Sequence, residues 1–400
     1  MIERSKNQKA RVAIVGAGVV SPLGFGLSET IESLRDARDC VAVVTRFSVA
    51  DCRCKTAGQV DGVRLASKLP SVSRPDRLHR AAQMAIVALG EALEQSGGFV
   101  PELTVMGTTS GGMSFGENYY RAIQSRQATR SAPRLIANYV PQKPIVDALN
   151  VFGIEAPCQV IANACASGAN AIGHAFECVR SGRYQRVLTG GYDALAELVF
   201  VGFDSLQAAT GDKCRPFDRN RTGMVLGEGA AILALENFDL ARDRGATILG
   251  EIIGYGLSTD NHHLTQPNPN GEGPRRAMAA ALENAGIPAP EIDYINAHGT
   301  ATPFNDAAEG KAITELFDNV PLSSTKGMMG HSLGAAGAIE AVISLLAIRE
   351  QFLPPNINFE EADLPLKIVA NRAHPAAVRT VLSNSFGFGG TNASVILRAA

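Results

Sequence analysis

Two short stretches constrain the fold of this 400-residue chain more than any other feature: Cys165-Ala-Ser-Gly168-Ala-Asn-Ala171-Ile and His331-Ser-Leu-Gly334-Ala-Ala-Gly337-Ala. Both read as helix starts with Gly and Ala on every face. A surface helix shows one polar face, whereas a helix with so little side-chain bulk suits the middle of a protein, where backbones approach closely. Laying Cys165 on His331 suggests an internal repeat in which each half contributes a buried helix whose first residue faces a shared site. Residues 1–250 then form an N-terminal half that carries the cysteine, and residues 251–400 a C-terminal half that carries the two histidines and a glycine-rich loop. The polar stretch 237–245 precedes the junction.

Around these helices, short β-branched runs recur at 11–15, 103–106, 159–162, 187–189, 231–235 and 292–297, with helix-like stretches such as 76–95 and 271–286 between them. Strands alternating with helices predict an α/β fold with buried sheets, and 46% apolar residues suffice for a sizeable core. Charge is nearly balanced, 37 Lys+Arg against 39 Asp+Glu, so no global basic field points to nucleic acid. Residues 1–10 lack the apolar stretch of a secretory signal, and no later run reaches the ~18 to 20 apolar residues that span a bilayer. A cytoplasmic protein with no membrane contact is expected. Seven scattered cysteines argue against a disulfide framework and for a search for a reactive thiol. Cys52 and Cys54 form a lone C-x-C without a second ligand pair, so no metal is expected.

Val160-Ile-Ala-Asn-Ala-Cys165-Ala-Ser-Gly168 reads as strand, tight turn and helix start, which places Cys165 where unpaired backbone N–H groups and the positive helix end converge. That setting favours the thiolate and offers an N–H to a developing oxyanion, although a buried structural cysteine fits the same segment. His298 lies in Asn296-Ala-His298-Gly-Thr300-Ala-Thr302 after a strand, and His331 follows Lys326-Gly-Met-Met-Gly at a helix start. A helix N-terminus pushes a histidine toward its neutral form. Neutral imidazoles can donate from Nε2 to a carbonyl that is becoming an enolate, as decarboxylation of a malonyl thioester requires. Either histidine alone fits a satisfied core residue; with Cys165 they form a set. Ser383-Asn-Ser-Phe386-Gly-Phe388-Gly-Gly390-Thr-Asn392 sits between apolar runs, and its glycines let backbone approach a ligand. A hairpin turn and a phosphate cradle are the other readings of that loop.

In order and at these separations, the segments from Val12-Ala-Ile-Val-Gly-Ala-Gly18 to Asn392 resemble the β-ketoacyl-acyl-carrier-protein synthases of the thiolase superfamily, closest to the type I and type II elongating enzymes. The resemblance implies a thiolase-like fold, two duplicated halves in αβαβα layers. It implies Cys165 as acyl-accepting nucleophile, His298 and His331 as the decarboxylating pair, and Lys326 as the residue that orders the second histidine. Asp306 and Glu309 match an acidic pair, Glu309 as partner of Lys326. Phe388 matches a gate whose N–H joins that of Cys165 in the oxyanion hole, while Thr300, Thr302, Thr265 and Phe386 match substrate contacts. Ser110 falls at the end of the acyl pocket, where relatives often carry an aliphatic residue. Thr222 replaces an acid and Gln207 an arginine that faces the carrier. The implied reaction is decarboxylative Claisen condensation of malonyl-carrier protein with the acyl group on Cys165, in fatty acid, polyene or polyketide synthesis, without metal or cofactor.

Acyl carrier protein is the implied partner. A basic landing patch is therefore expected at Arg64, Lys68, Arg74, Arg77 and Arg80, or at Arg121, Arg126, Arg130 and Arg134, against solvated surface charge as the alternative. The chain is expected as a homodimer, or as the active half of a heterodimer with a catalytically silent chain-length subunit. Rival readings fare worse. Gly330-His-Ser332-Leu-Gly334, followed by Asp363 and His374, has the order of a serine-hydrolase triad, but Lys326-Gly-Met-Met separates Ser332 from any strand. Gly16-Ala-Gly18 has Ser21 in place of the third glycine of a dinucleotide fingerprint. A degradative thiolase needs a cysteine in the C-terminal half, and the last one is Cys214. A silent subunit lacks the nucleophile that Cys165 supplies.

Overall fold

The apolar runs become the strands of a single large sheet in the computed structural model, which describes residues 9–72, 74–126 and 132–400. The first half supplies β1 (Val12–Ser21), β2 (Leu103–Gly107), β3 (Cys158–Ile161), β4 (Arg186–Asp193) and β5 (Gly229–Asn237). The second supplies β6 (Gly250–Thr259), β7 (Tyr294–Asn296), β8 (Pro321–Ser323), β9 (Lys367–Ile368), β10 (Thr380–Gly387) and β11 (Thr391–Arg398). Their hydrogen-bonded order is β9-β8-β7-β10-β11-β6-β1-β5-β4-β2-β3. Read outward from the centre, β1-β5-β4-β2-β3 and β6-β11-β10-β7-β8 repeat one chain order and one succession of two antiparallel and two parallel pairings. Even the irregularities match, with a register shift between Ile14 and Gly16 in β1 and between Ile252 and Gly254 in β6. Each shift bends its strand at the same place. The halves join where β1 meets β6, Val12 opposite Ile252.

Five helices complete the layers: α1 (Arg80–Ser96), α2 (Ser167–Arg180), α3 (Glu272–Ala285), α4 (Pro303–Leu316) and α5 (Ala336–Glu350). Outside, α1 covers β1 and β5 as α3 covers β6 and β11, while α2 and α5 lie between the two half-sheets. The result is the thiolase-like αβαβα architecture. Glycine makes the outer layers close: a Cβ on Gly16 or Gly18 would fall 2.2 or 2.0 Å from the carbonyl oxygens of Ala92 and Ala88. Gly254 and Gly256 meet Ala281 and Ala277 of α3 in the same way. The Gly-Ala-Gly of β1 thus serves helix packing and not a nucleotide.

The central helices correct the repeat register. A Cβ on Gly168 would lie 2.9 Å from the Ala338 nitrogen, and one on Gly337 would lie 2.7 Å from the Ala169 nitrogen. This reciprocity pairs Gly168 with Gly337, and therefore Cys165 with Gly334 and not with His331. The 3₁₀ turns before the helices, Ala164–Ala166 and Leu333–Ala335, agree, since each opens on a residue in the left-handed region, Ala164 at φ 59° and Leu333 at φ 54°. Gly334 and Gly337 stand three positions apart, so Gly168 can be laid on either; backbone contact selects Gly337. No helix among the described residues is long and apolar enough to cross a membrane.

Candidate active site

Cys165 stands in the 3₁₀ turn that links β3 to α2, one residue after the strained Ala164. A non-glycine residue in the left-handed region costs about 1–3 kcal/mol and persists where its surroundings over-determine it. Here Asn163 donates its N–H to the Ser167 hydroxyl, which donates to the Ala164 carbonyl, closing the turn from both sides. Gly387, at the end of β10, packs over the turn so closely that a Cβ would come 3.2 Å from the Cys165 nitrogen. The loop after it puts Phe388 at the cavity wall, its ring stacked on Phe203 at 5.4 Å.

His298 follows β7 in a loop shaped by two buried acids of α4. Glu309 accepts the N–H groups of His298 and Gly299, both at 2.8 Å, and the amide of Asn384 at 3.0 Å. Asp306 accepts the N–H groups of Phe217 and Ala301, and Ala301 is again held left-handed at φ 64°. These acids are straps for a strained loop. His331 is held through its backbone, donating to the Val225 carbonyl at 2.7 Å and accepting from Gly227 at 2.8 Å. The two imidazoles meet edge to face with centroids 5.3 Å apart, and Phe386 packs on His298 at 5.6 Å.

Lys326 donates to the His298 carbonyl at 2.6 Å and pairs with the carboxylate of Glu340 on α5; both side chains are buried. Glu309 was the partner expected from the sequence, so this assignment is corrected. The signal for Glu340 was present: it is the single charge between Ala336 and Ile348, and a lone buried acid demands a cation.

Cys165, His298 and His331 open on one cavity of about 190 Å³, with Thr300, Thr302, Thr265, Phe386 and Phe388 also on its walls. Thr300 and Thr302 hydroxyls bond each other at 2.9 Å. Thr222 and Gln207 line the same space, Thr222 joined to Thr210 at 2.7 Å. Asp260 and Asn392, joined at 2.7 Å, lie at the wall as well, and Asp260 has no motif that would have revealed it. Ser110 is not on the wall: its hydroxyl donates to Asp193 at 2.8 Å inside the protein. Nδ1 of His298 and both ring nitrogens of His331 are buried without a hydrogen-bond partner among the described residues.

The electrostatics also revise an expectation. Burial pushes the Cys165 thiol up to about 12, with Lys326 pulling the other way, so the resting residue is a thiol; desolvation outweighs the helix end that the sequence brings to it. Burial, assisted by the Lys326 charge, holds His298 and His331 well below the ordinary histidine range. Both rings are neutral, chiefly through desolvation and not through a helix terminus. Burial raises Glu340 to about 7 against Lys326, and Glu309 to about 7 against its N–H donors.

The remaining sequence candidates fall outside this cavity. Arg80 is buried in an ion pair with Glu228. Arg64, Arg74 and Arg121 are exposed but engaged by Glu29, Asp76 and Glu197, while Lys68, Arg77, Arg126 and Arg134 are exposed without an ion pair among the described residues. Arg130 lies outside the described residues. Ser332 has no triad: its hydroxyl is buried and unpartnered, Asp363 binds Arg221, and His374 sits on an exposed strand.

Comparison with known proteins agrees with this geometry. Residues 9–241 match the family described as Beta-ketoacyl synthase, N-terminal domain, and residues 249–360 its C-terminal domain. The chain is 35% identical to 3-oxoacyl-[acyl-carrier-protein] synthase 2 of Synechocystis sp. over 98% of each chain. Among solved structures, the ishigamide ketosynthase/chain length factor superposes with a TM-score of 0.91 at 35% identity, covering 98% of this chain and 100% of that one. A type II PKS ketosynthase, solved in complex with its acyl-carrier protein and bound to the hexaketide, gives 0.87 at 27% identity, again over 98% and 100%. A cysteine and two neutral histidines on one cavity, in a duplicated αβαβα fold matched along nearly its whole length, place this chain in the β-ketoacyl synthase family.

Proposed function

We propose that the chain is a β-ketoacyl-ACP synthase in which the acyl group travels on Cys165. The observation that carries the reading is the convergence of the buried Cys165 thiol with imidazole nitrogens that no protein group satisfies; unpartnered buried nitrogens are costly unless a ligand completes them. In the first half-reaction the Cys165 sulfur attacks the thioester carbon of an acyl-carrier protein. The pantetheine sulfur leaves and takes up, on balance, the thiol proton. The N–H groups of Cys165 and Phe388 receive the intermediate oxyanion. In the second, malonyl-carrier protein loses carbon dioxide, and the electrons of the broken bond form an enolate whose oxygen is held by His298 and His331. Its carbon attacks the acyl carbonyl and expels the Cys165 thiolate, which takes a proton from water to restore the thiol, giving a β-ketoacyl-carrier protein two carbons longer.

Atoms and charges balance without a metal or redox cofactor, and Lys326 with Glu340 anchors the carbonyl of His298. Thr300, Thr302 and Thr265 are assigned to the pantetheine arm. Lys68, Arg77, Arg126 and Arg134 are the exposed members of the proposed carrier-docking clusters that have no ion pair among the described residues. The likeness to a ketosynthase/chain length factor structure favours a second reading in which this chain is the active half of a heterodimer, against a homodimer. A cytoplasmic location belongs to the same proposal, supported by kinship to 3-oxoacyl-ACP synthases. Reconstitution with acyl- and malonyl-carrier proteins tests the chemistry: the expected product is the β-ketoacyl-carrier protein, lost in His298→Ala. Light scattering on the isolated chain separates a stable homodimer from a subunit that needs a different partner.

A further inference from the structure

The corrected register aligns the Cys165 nitrogen in the first half with the Gly334 nitrogen in the second. Cys165 lines the catalytic cavity, whereas the Gly334 nitrogen donates at 2.7 Å to the carboxylate of Asp193, at the end of β4. Asp193 is fully buried and accepts six hydrogen bonds, from the Thr108 and Ser110 hydroxyls and from the N–H groups of Thr109, Ser110, Gly111 and Gly334. Burial raises the Asp193 carboxyl above its ordinary value, and the six donors, which saturate the four lone-pair directions of a carboxylate, oppose that shift and favour the charged form. An internal anion thus occupies in one half the place that the other half keeps for a substrate oxyanion.

The neighbourhood leaves this carboxylate no slack. A Cβ on Gly334 would strike the Thr108 carbon and the Thr109 nitrogen at 2.5 Å, and one on Gly191 would come 2.9 Å from the Gly334 oxygen. His331 needs such an anchor, because neither ring nitrogen has a protein partner and ring orientation must come from the backbone. Its own N–H and carbonyl are bonded to Val225 and Gly227. On its C-terminal side comes Leu333, in the left-handed region, and then Gly334 on Asp193. We propose that Asp193 is a positioning residue for His331, fixing the Leu333–Ala335 turn so that the imidazole meets the malonyl thioester oxygen. This rests on the proposed condensing activity.

Asp193→Asn replaces an acceptor oxygen by an amide NH2, a donor that faces N–H donors, so the turn loses part of its anchor. A misplacement of ~1 Å in a catalytic group costs about 100-fold, and a loss of at least about tenfold in malonyl decarboxylation is expected. The same change removes a negative charge that raises the Cys165 thiol, so alkylation of Cys165 by iodoacetamide at fixed pH is expected to quicken. Opposite signs in the two reactions distinguish positioning from general loosening, which lowers both or exposes the thiol while melting the protein. If Asp193→Asn does not fold, the milder pair Thr108→Val and Ser110→Ala removes two donors, and decarboxylation is expected to fall about threefold to tenfold with acyl uptake retained. Decarboxylation at the wild-type rate in a folded variant, or an equal fall in both reactions, overturns the proposal. A wild-type protein that neither takes up an acyl group nor releases carbon dioxide overturns the condensing reading itself, and this inference with it.

Discussion

The two central helices begin alike and are used differently. Each follows a 3₁₀ turn opened by a left-handed residue, and each is pressed against the other through a glycine, Gly168 on one side and Gly337 on the other. In the first half the turn carries the Cys165 thiol at the wall of a cavity; in the second it carries glycine, and its N–H is closed by Asp193. His331, the cavity histidine of the second half, enters three residues earlier, before the turn. A duplicated scaffold therefore offers two equivalent helix ends, one closed by the Asp193 carboxylate and the other beside the cavity that Cys165 lines.

The largest expected effect removes the feature that only the first half has. Cys165→Ala is expected to abolish acyl uptake and lower condensation at least about 1,000-fold, measured as β-ketoacyl product formed per hour. Next comes the pair that ties the second half to His298. Lys326→Ala leaves Glu340 buried without its cation and is expected to cost about 3–5 kcal/mol in chemical denaturation, with decarboxylation lost. The double variant Lys326→Met with Glu340→Leu recovers stability and not activity, which separates folding from chemistry.

Two pH profiles sharpen the contrast between the sites. With the thiol near 12, the thiolate fraction rises tenfold for each unit of pH below that value. Iodoacetamide labelling of Cys165 is therefore expected to climb through pH 7 to 9 without a plateau. The histidines lie far below their ordinary value and stay neutral as pH falls from 8 to 6, so their protonation is expected to contribute no fall in malonyl decarboxylation there. Glu309 and Glu340, raised by burial to about 7, do titrate in that window, and a fall centred near 7 is expected to follow their protonation. The smallest effect belongs to Phe388→Ala, which keeps the backbone N–H: carrier-dependent acylation is expected to change less than about tenfold while small alkylating reagents reach the thiol faster.

Cys165, His298 and His331 were legible because each sits in a distinctive run of small residues, and Lys326 because it precedes His331 in one motif. The strands of the first half were legible too, from β-branched runs such as 231–235. Other features depend on contacts that no local pattern encodes. β6 carries glycines that serve α3 and so lacks a clean apolar run. Glu340 is 14 residues from Lys326 in the chain, one helix away from the motif that names its partner. Asp193 gathers donors from a loop 82–85 residues before it and from Gly334, 141 residues after it. The protonation of Cys165 depends on burial, and burial was not readable from a segment whose helix end argued for the thiolate.

Intact-mass measurement after incubation with a panel of acyl-carrier proteins tests the central claim most directly. The account predicts a mass increase equal to one acyl group, absent in Cys165→Ala, and discharged as β-ketoacyl product when malonyl-carrier protein is added. An unlabelled protein with every acyl donor, or a label that survives in Cys165→Ala, contradicts it.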